Sequence, residues 1–188
     1  LRLARLAIGI GALLLVGSAG AQEPLRLDGL TIPDRVAGLP HAAPFDYEKA
    51  NPGLGYSVQF IRPGWRIDVY VYDARQTSIP ENPLSAKVRR QLEEARLDIL
   101  EMQRRGIYSD VEVMSDYVVA QKGKPRFVCS ALSFHHKRTN LDVDSYVCVA
   151  GRNNRFIKIR MTTGRGATTS TDAQEFVDAW VALLWPSP

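Results

Sequence analysis

The sequence predicts an α+β domain: an antiparallel β-sheet covered by helices on both faces, an α/β/α sandwich. Three observations lead there. Alternating apolar segments are separated by turn residues through the middle of the chain, the two central segments are apolar on both sides, and two amphipathic helical segments can cover them.

The chain opens with Arg2 and Arg5, continues with an uninterrupted apolar and glycine stretch from Leu6 to Val16, and then supplies Ser18, Ala19, Gly20 and Ala21. Positive charge, a short apolar run and small residues, in that order, form a secretory signal, with Ala19 and Ala21 where a signal peptidase accepts small side chains. A spanning helix needs roughly 20 apolar residues, more than this run provides. Residues 1–21 are therefore expected to be a signal peptide cleaved between Ala21 and Gln22. The mature chain would then carry no transmembrane helix and would be periplasmic or secreted.

Residues 22–55 are rich in proline and glycine and read as an irregular lead-in with one short strand near Leu30 to Val36. Residues 56–188 are expected to form the single α+β domain. It begins with two alternating runs, YSVQFI and RIDVYVY, on either side of Pro63-Gly64. A tight turn there pairs Phe60 with Ile67, Val58 with Val69 and Tyr56 with Val71, all on one face.

A helix follows. Ser85 is its N-cap, Val88, Leu92, Ala95, Ile99 and Met102 recur on one face, and Gly106 ends it. The charged residues between them read as a solvated face.

Three further turns link four strand segments. The simplest registers set Val119 opposite Phe127, Tyr117 opposite Cys129, Cys148 opposite Ile157 and Tyr146 opposite Ile159. The middle hairpin, centred on Arg138 and Thr139, places Cys129 directly opposite Cys148. These apolar residues share one face, and Val128, Leu132, Phe134, Val143, Val147 and Val149 line the other, so both faces require cover. A C-terminal helix capped by Thr171, with Gln174 three residues on, offers Phe176, Val177, Trp180, Val181 and Leu184.

Cys129 and Cys148 are the only cysteines. Outside the cytoplasm an even pair in direct opposition is a disulfide candidate, with two buried free thiols as the alternative. The formal net charge is +4, and Arg2 and Arg5 of the signal account for two of those charges. So small a surplus argues against nucleic acid as a partner.

No cofactor or metal is expected. The neighbours His135 and His136 point to opposite faces of a strand, with Asp142 opposite His135 and Asp144 nearby, and no third ligand is specified. His41 has no visible partner. The stretch 163–171, rich in glycine and threonine and carrying Arg165, precedes a helix start and could accept an anion, although a plain connection suffices. Arg152, Arg155, Lys158 and Arg160 form a basic stripe on the last strand, read as the charged protection of a sheet edge. Nucleophile-elbow, H-E-x-x-H, phosphate-loop and dinucleotide-binding motifs are absent from the sequence.

The run DYEKANPGLGYSVQF, followed by DVYVYD and RFIKIRMT, resembles a group of uncharacterised exported bacterial proteins. The order of hairpin, long helix, antiparallel strands and C-terminal helix is similar to the PsbP and DcrB architecture. This resemblance implies a PsbP-like sandwich and an accessory or binding role, and carries over no catalytic residue. The expected function is a non-enzymatic binding or assembly module of the envelope whose partner is another envelope protein or a small ligand. The alternative is a periplasmic hydrolase using His135 or His136 with a nearby aspartate.

Overall fold

The computed structural model describes residues 24–166 and 170–187. The expected signal peptide and its expected Ala21–Gln22 cleavage point lie outside the described residues. The described residues form eleven strands and two helices in chain order. Five short strands come first: β1 (Leu25–Leu27), β2 (Leu30–Ile32), β3 (Arg35–Val36), β4 (Leu39–Pro40) and β5 (Phe45–Asp46). Then come β6 (Tyr56–Arg62), β7 (Trp65–Tyr72), α1 (Ala86–Arg104), β8 (Tyr108–Gln121), β9 (Lys124–His136), β10 (Leu141–Arg152), β11 (Arg155–Gly164) and α2 (Ser170–Leu184). Seven strands form one antiparallel sheet in the order β5-β6-β7-β11-β10-β9-β8.

The expected sheet covered by helices on both faces is corrected by this architecture. The seven-stranded sheet dominates, and the two helices, of 19 and 15 residues, do not make helical layers. α1 lies over β8, β9 and β10 and leaves much of β6, β7 and β11 without helical cover. The reason is in the side chains: Gln59 and Ile61 on β6 and Arg66, Asp68 and Tyr70 on β7 alternate with the core residues, so that part of the face is largely polar and needs no apolar lid. Under α1, by contrast, Val88, Leu92, Ala95 and Ile99 pack with Val128, Leu132, Phe134, Val143, Val147 and Val149.

On the opposite face α2 shares the cover with the N-terminal hairpins. Leu27, Leu30, Ile32 and Val36 are buried in one core with Phe176, Val177, Trp180, Val181 and Leu184, against Phe60, Val69, Phe127, Cys129, Cys148 and Ile159. The segment read as an irregular lead-in thus contributes β1–β2 and β3–β4, two hairpins whose strands are only two or three residues long.

Local chemistry sets the ends. The Ser85 hydroxyl accepts the Val88 amide at 3.4 Å, capping α1, and Gly106 takes φ 72° just beyond its C-terminus. α2 begins at Ser170, so Thr171 lies inside its first turn. Gly151 on β10 is required by a close approach: a Cβ there would overlap the Pro80 carbonyl oxygen. The loop containing Pro80 is fastened to the same hairpin by the Ile79 amide donating to Asn154 Oδ1 at 2.8 Å and by Arg152 paired with Glu81 at 2.7 Å.

The predicted registers of β6–β7, β8–β9 and β9–β10 are those observed, including Val58 with Val69, Tyr117 with Cys129 and Cys129 with Cys148. β10–β11 differs. Cys148 faces Ile159, and Tyr146 faces Met161. The turn residues are Asn153 and Asn154, with φ 49° and 57°, the left-handed pair that a two-residue hairpin turn demands. Moving the turn centre by one residue shifts the partner by two, so every side chain keeps its face.

The last strand is not an edge. β11 lies inside the sheet, between β7 and β10. The long open edge is β8, and it is guarded by Asp110, Glu112 and Asp116 and by three register irregularities.

Candidate functional site

The region without helical cover brings β7 and β11 together as a polar floor. Lys158 pairs in register with Tyr70, Arg160 with Asp68 and Thr162 with Arg66. Beside them a concave site of about 280 Å³ is lined by Arg66, Asp68, Tyr70, Tyr108, His136 and Arg160, among others. Tyr108 stacks on Phe134 with ring centres 4.2 Å apart and stands 5.3 Å from the His136 ring.

Charge is arranged unevenly here. Arg66 Nε binds Asp68 Oδ2 at 2.7 Å, whereas Arg160 has no ion-pair partner among the described residues. Lys158 Nζ lies 4.6 Å from the Tyr70 ring centre and 5.6 Å from that of Tyr72, within cation–π range of both. Burial lowers the Lys158 ammonium below its ordinary pKa, opposed by Asp98 and Glu94 of α1. Burial, followed by the charge of Asp68, raises the Tyr70 phenol above its ordinary value. Tyr72 donates to Gln91 Oε1 at 2.8 Å, and Gln91 donates to Glu94 at 2.6 Å, tying the floor to α1. A surplus guanidinium, phenols and an imidazole around a small concavity suit recognition of a polar, negatively charged group.

The basic stripe read as edge protection therefore divides. Lys158 and Arg160 belong to this floor. Arg152 pairs with Glu81, and Arg155 pairs with Asp28 at 3.1 Å and Asp73 at 3.4 Å.

Cys129 and Cys148 form a disulfide, with Cα atoms 4.1 Å apart. Tyr117 lies opposite Cys129, its hydroxyl 4.0 Å from Cys148 Sγ, and burial pushes its phenol up to about 12.

The two histidines separate as their alternation requires. His136 joins the floor, and its Nδ1 accepts the Thr139 amide at 3.3 Å. His135 lies within 3.0 Å of Asp142 through Nδ1, a contact that holds the carboxyl below its ordinary pKa. Ser109 of β8 stands opposite His135 in register, so serine, histidine and aspartate line up across three strands. His41 is buried and donates through Nδ1 to the Ala42 carbonyl at 3.0 Å. Among the described residues no three His, Cys, Asp or Glu side chains are grouped so as to hold a metal.

The 163–171 stretch is described only in part, since residues 167–169 fall outside. Within the described part Arg165 is engaged: its amide donates to the Asp142 carbonyl at 2.7 Å and its guanidinium reaches Asp144 at 3.4 Å. No described helix is long and apolar enough to cross a membrane.

Sequence reading missed Tyr108 as a wall of the floor and Trp185 as an anchor of the α2 face. Tyr108 had no signal, because its place follows from irregular β8 pairing.

No family model matches the chain, and no curated protein matches it. Among solved structures it is similar to the solution structure of cyanobacterial PsbP from Synechocystis sp. PCC 6803, at 9% identity over 73% of this chain and 79% of that one, with a TM-score of 0.49. It is also similar to a protein of unknown function from Pseudomonas aeruginosa, at 16% identity over 88% of this chain and 95% of that one, with a TM-score of 0.32. Neither likeness assigns an activity.

Proposed function

We propose that the chain is an exported, non-enzymatic binding or assembly module of the bacterial envelope, with the polar floor of β7 and β11 as its contact surface. The observation that carries this reading is the exceptional content of that floor: Lys158 and Arg160 occupy an interior strand of the sheet, and Arg160 has no ion-pair partner among the described residues. A half-buried guanidinium that faces a concavity and lacks a carboxylate partner among the described residues suits a ligand anion or an acidic partner. The signal-like N-terminus and the disulfide support an oxidising compartment.

Mass spectrometry of envelope-fraction protein is expected to find a mature chain starting at Gln22. Arg160→Gln is expected to remove function in a complementation assay while circular dichroism stays unchanged. Full-length chain confined to the cytoplasm, or full function in Arg160→Gln, contradicts the reading.

A second reading, a hydrolase, is favoured by one observation: His135 contacts Asp142 at 3.0 Å with Ser109 opposite it. It requires esterase activity on a simple activated ester that disappears in both Ser109→Ala and His135→Ala. Equal activity in wild type and both variants rules it out.

A further inference from the structure

At the end of β9 remote from the histidines, Trp185 follows α2 and closes the core, 6% exposed. Its ring is flanked by two cations, with the Arg126 guanidinium carbon 4.8 Å and that of Arg152 5.6 Å from the ring centre. A cleft of about 340 Å³ opens here, lined by Lys122, Lys124, Arg126, Arg152 and Trp185. Two donors at this place are buried without a hydrogen-bond partner among the described residues, the Trp185 indole N–H and Arg126 Nε. Buried donors normally find acceptors, so this pair stands out. Among the described residues the Arg126 guanidinium makes one long hydrogen bond, to Gln121 Oε1 at 3.4 Å, and Gln121 donates to the Trp185 carbonyl at 3.2 Å.

The surrounding charge is one-sided. Lys122 and Lys124 flank Gly123 in the β8–β9 turn, both are exposed, and neither has an ion-pair partner among the described residues. Arg152 is held by Glu81. The cleft is thus lined by residues with unsatisfied N–H groups and carries surplus positive charge, the combination that holds an oxyanion.

A second groove, of about 490 Å³, adjoins it and shares Arg152 and Pro186. Its walls are mainly apolar: Leu30, Ile32, Leu183, Leu184 and Trp180, the last with an indole N–H that is also unpartnered. One ligand fits both halves. We propose that this end of the domain binds a single-chain anionic amphiphile, its oxyanion head against Arg126, Trp185 and the two turn lysines, its apolar chain along the groove between β2 and α2. This site lies apart from the polar floor and does not rest on it.

The test follows the indole N–H resonances of the full mature protein by NMR, with dodecyl phosphate and dodecanoate as probes below their micelle concentrations. At least one probe is expected to shift Trp185 and Trp180 together and to saturate, and the tighter of the two identifies the head as phosphate or carboxylate. Inorganic phosphate alone is expected to bind at least about tenfold more weakly, since it leaves the groove empty. Dodecyl maltoside, a neutral amphiphile, is expected to produce no saturable shift. Lys122→Gln combined with Lys124→Gln, both exposed, is expected to weaken the better probe by about tenfold with folding intact. Leu183→Ser is expected to weaken that probe and leave inorganic phosphate unchanged. The proposal is overturned by absence of a saturable shift with both anionic probes, by maltoside binding as tightly as they do, by phosphate matching them, or by unchanged affinity in either variant.

Discussion

Cys129 and Cys148 face one another directly across β9 and β10, and the bond between them lies fully buried in the core that α2 covers. The closed loop spans a sequence separation of 19, for which the chain-entropy account gives a stabilisation of about 3 kcal/mol. The double variant Cys129→Ala, Cys148→Ala is expected to lower the unfolding free energy by that order in urea titration. Equal midpoints for it and the oxidised protein would refute the effect.

Gly151 is the position where the α1-bearing loop presses on the sheet, since a Cβ meets the Pro80 carbonyl. Backbone oxygen cannot swing aside as a flexible side chain can. Gly151→Ala is therefore expected to destabilise by about 1–3 kcal/mol, read as a lowered melting temperature. Gly164, with open space around its missing Cβ, serves as the control.

Tyr117 carries a pH signature. Burial raises its phenol from 10.0 to about 12, so the folded state retains the proton longer than the unfolded chain. Its contribution to stability is complete below pH 10 and is lost as the pH rises through about 12. Between those limits wild type is expected to lose more stability than Tyr117→Phe, measured as the difference between their denaturation curves. Parallel pH profiles would contradict this.

Lys158 is expected to be a binding residue whose loss does not harm the fold. Its ammonium is depressed by burial, so Lys158→Met keeps the aliphatic packing against Tyr70 and Tyr72 while removing an unfavourably placed charge. Stability should stay equal or rise, and function in complementation should fall. A destabilised Lys158→Met would show instead that the cation holds the sheet together.

The registers of β6–β7, β8–β9 and β9–β10 were legible in the sequence because each is local, whereas that of β10–β11 was shifted by two residues. The turn at Arg138 and Thr139 fixes Cys129 against Cys148, and the two apolar faces forbid a slip by one. The place of β11 was not legible. Alternation says which face Lys158 and Arg160 occupy, but not that β7 would lie beside them, and the charges suggested an edge. The floor was therefore visible only in pieces, with Lys158, Arg160 and His136 noted separately. β1 to β4 were foreseen only as one short strand near Leu30 to Val36, because strands of two or three residues are too short to display a period. The α/β/α expectation drew its cover on both faces from the central strands, which are apolar on both sides, whereas β6 and β7 turn polar residues toward the α1 side.

The β7–β11 pairing has a consequence for how the molecule assembles. Within the seven-stranded sheet, every other neighbouring pair is joined by a local turn or short loop, but Tyr72 meets Phe156 only after α1 and three strands have intervened. This seam carries the largest loop-closure entropy in the sheet, and non-local pairings of this kind slow folding. The disulfide lies wholly on one side of the seam, within β9 and β10, so oxidation staples a hairpin whose ends are already close in the chain. Oxidised and reduced chains should thus meet the same late obstacle, the docking of the β6–β7 hairpin onto a preformed β8–β11 meander.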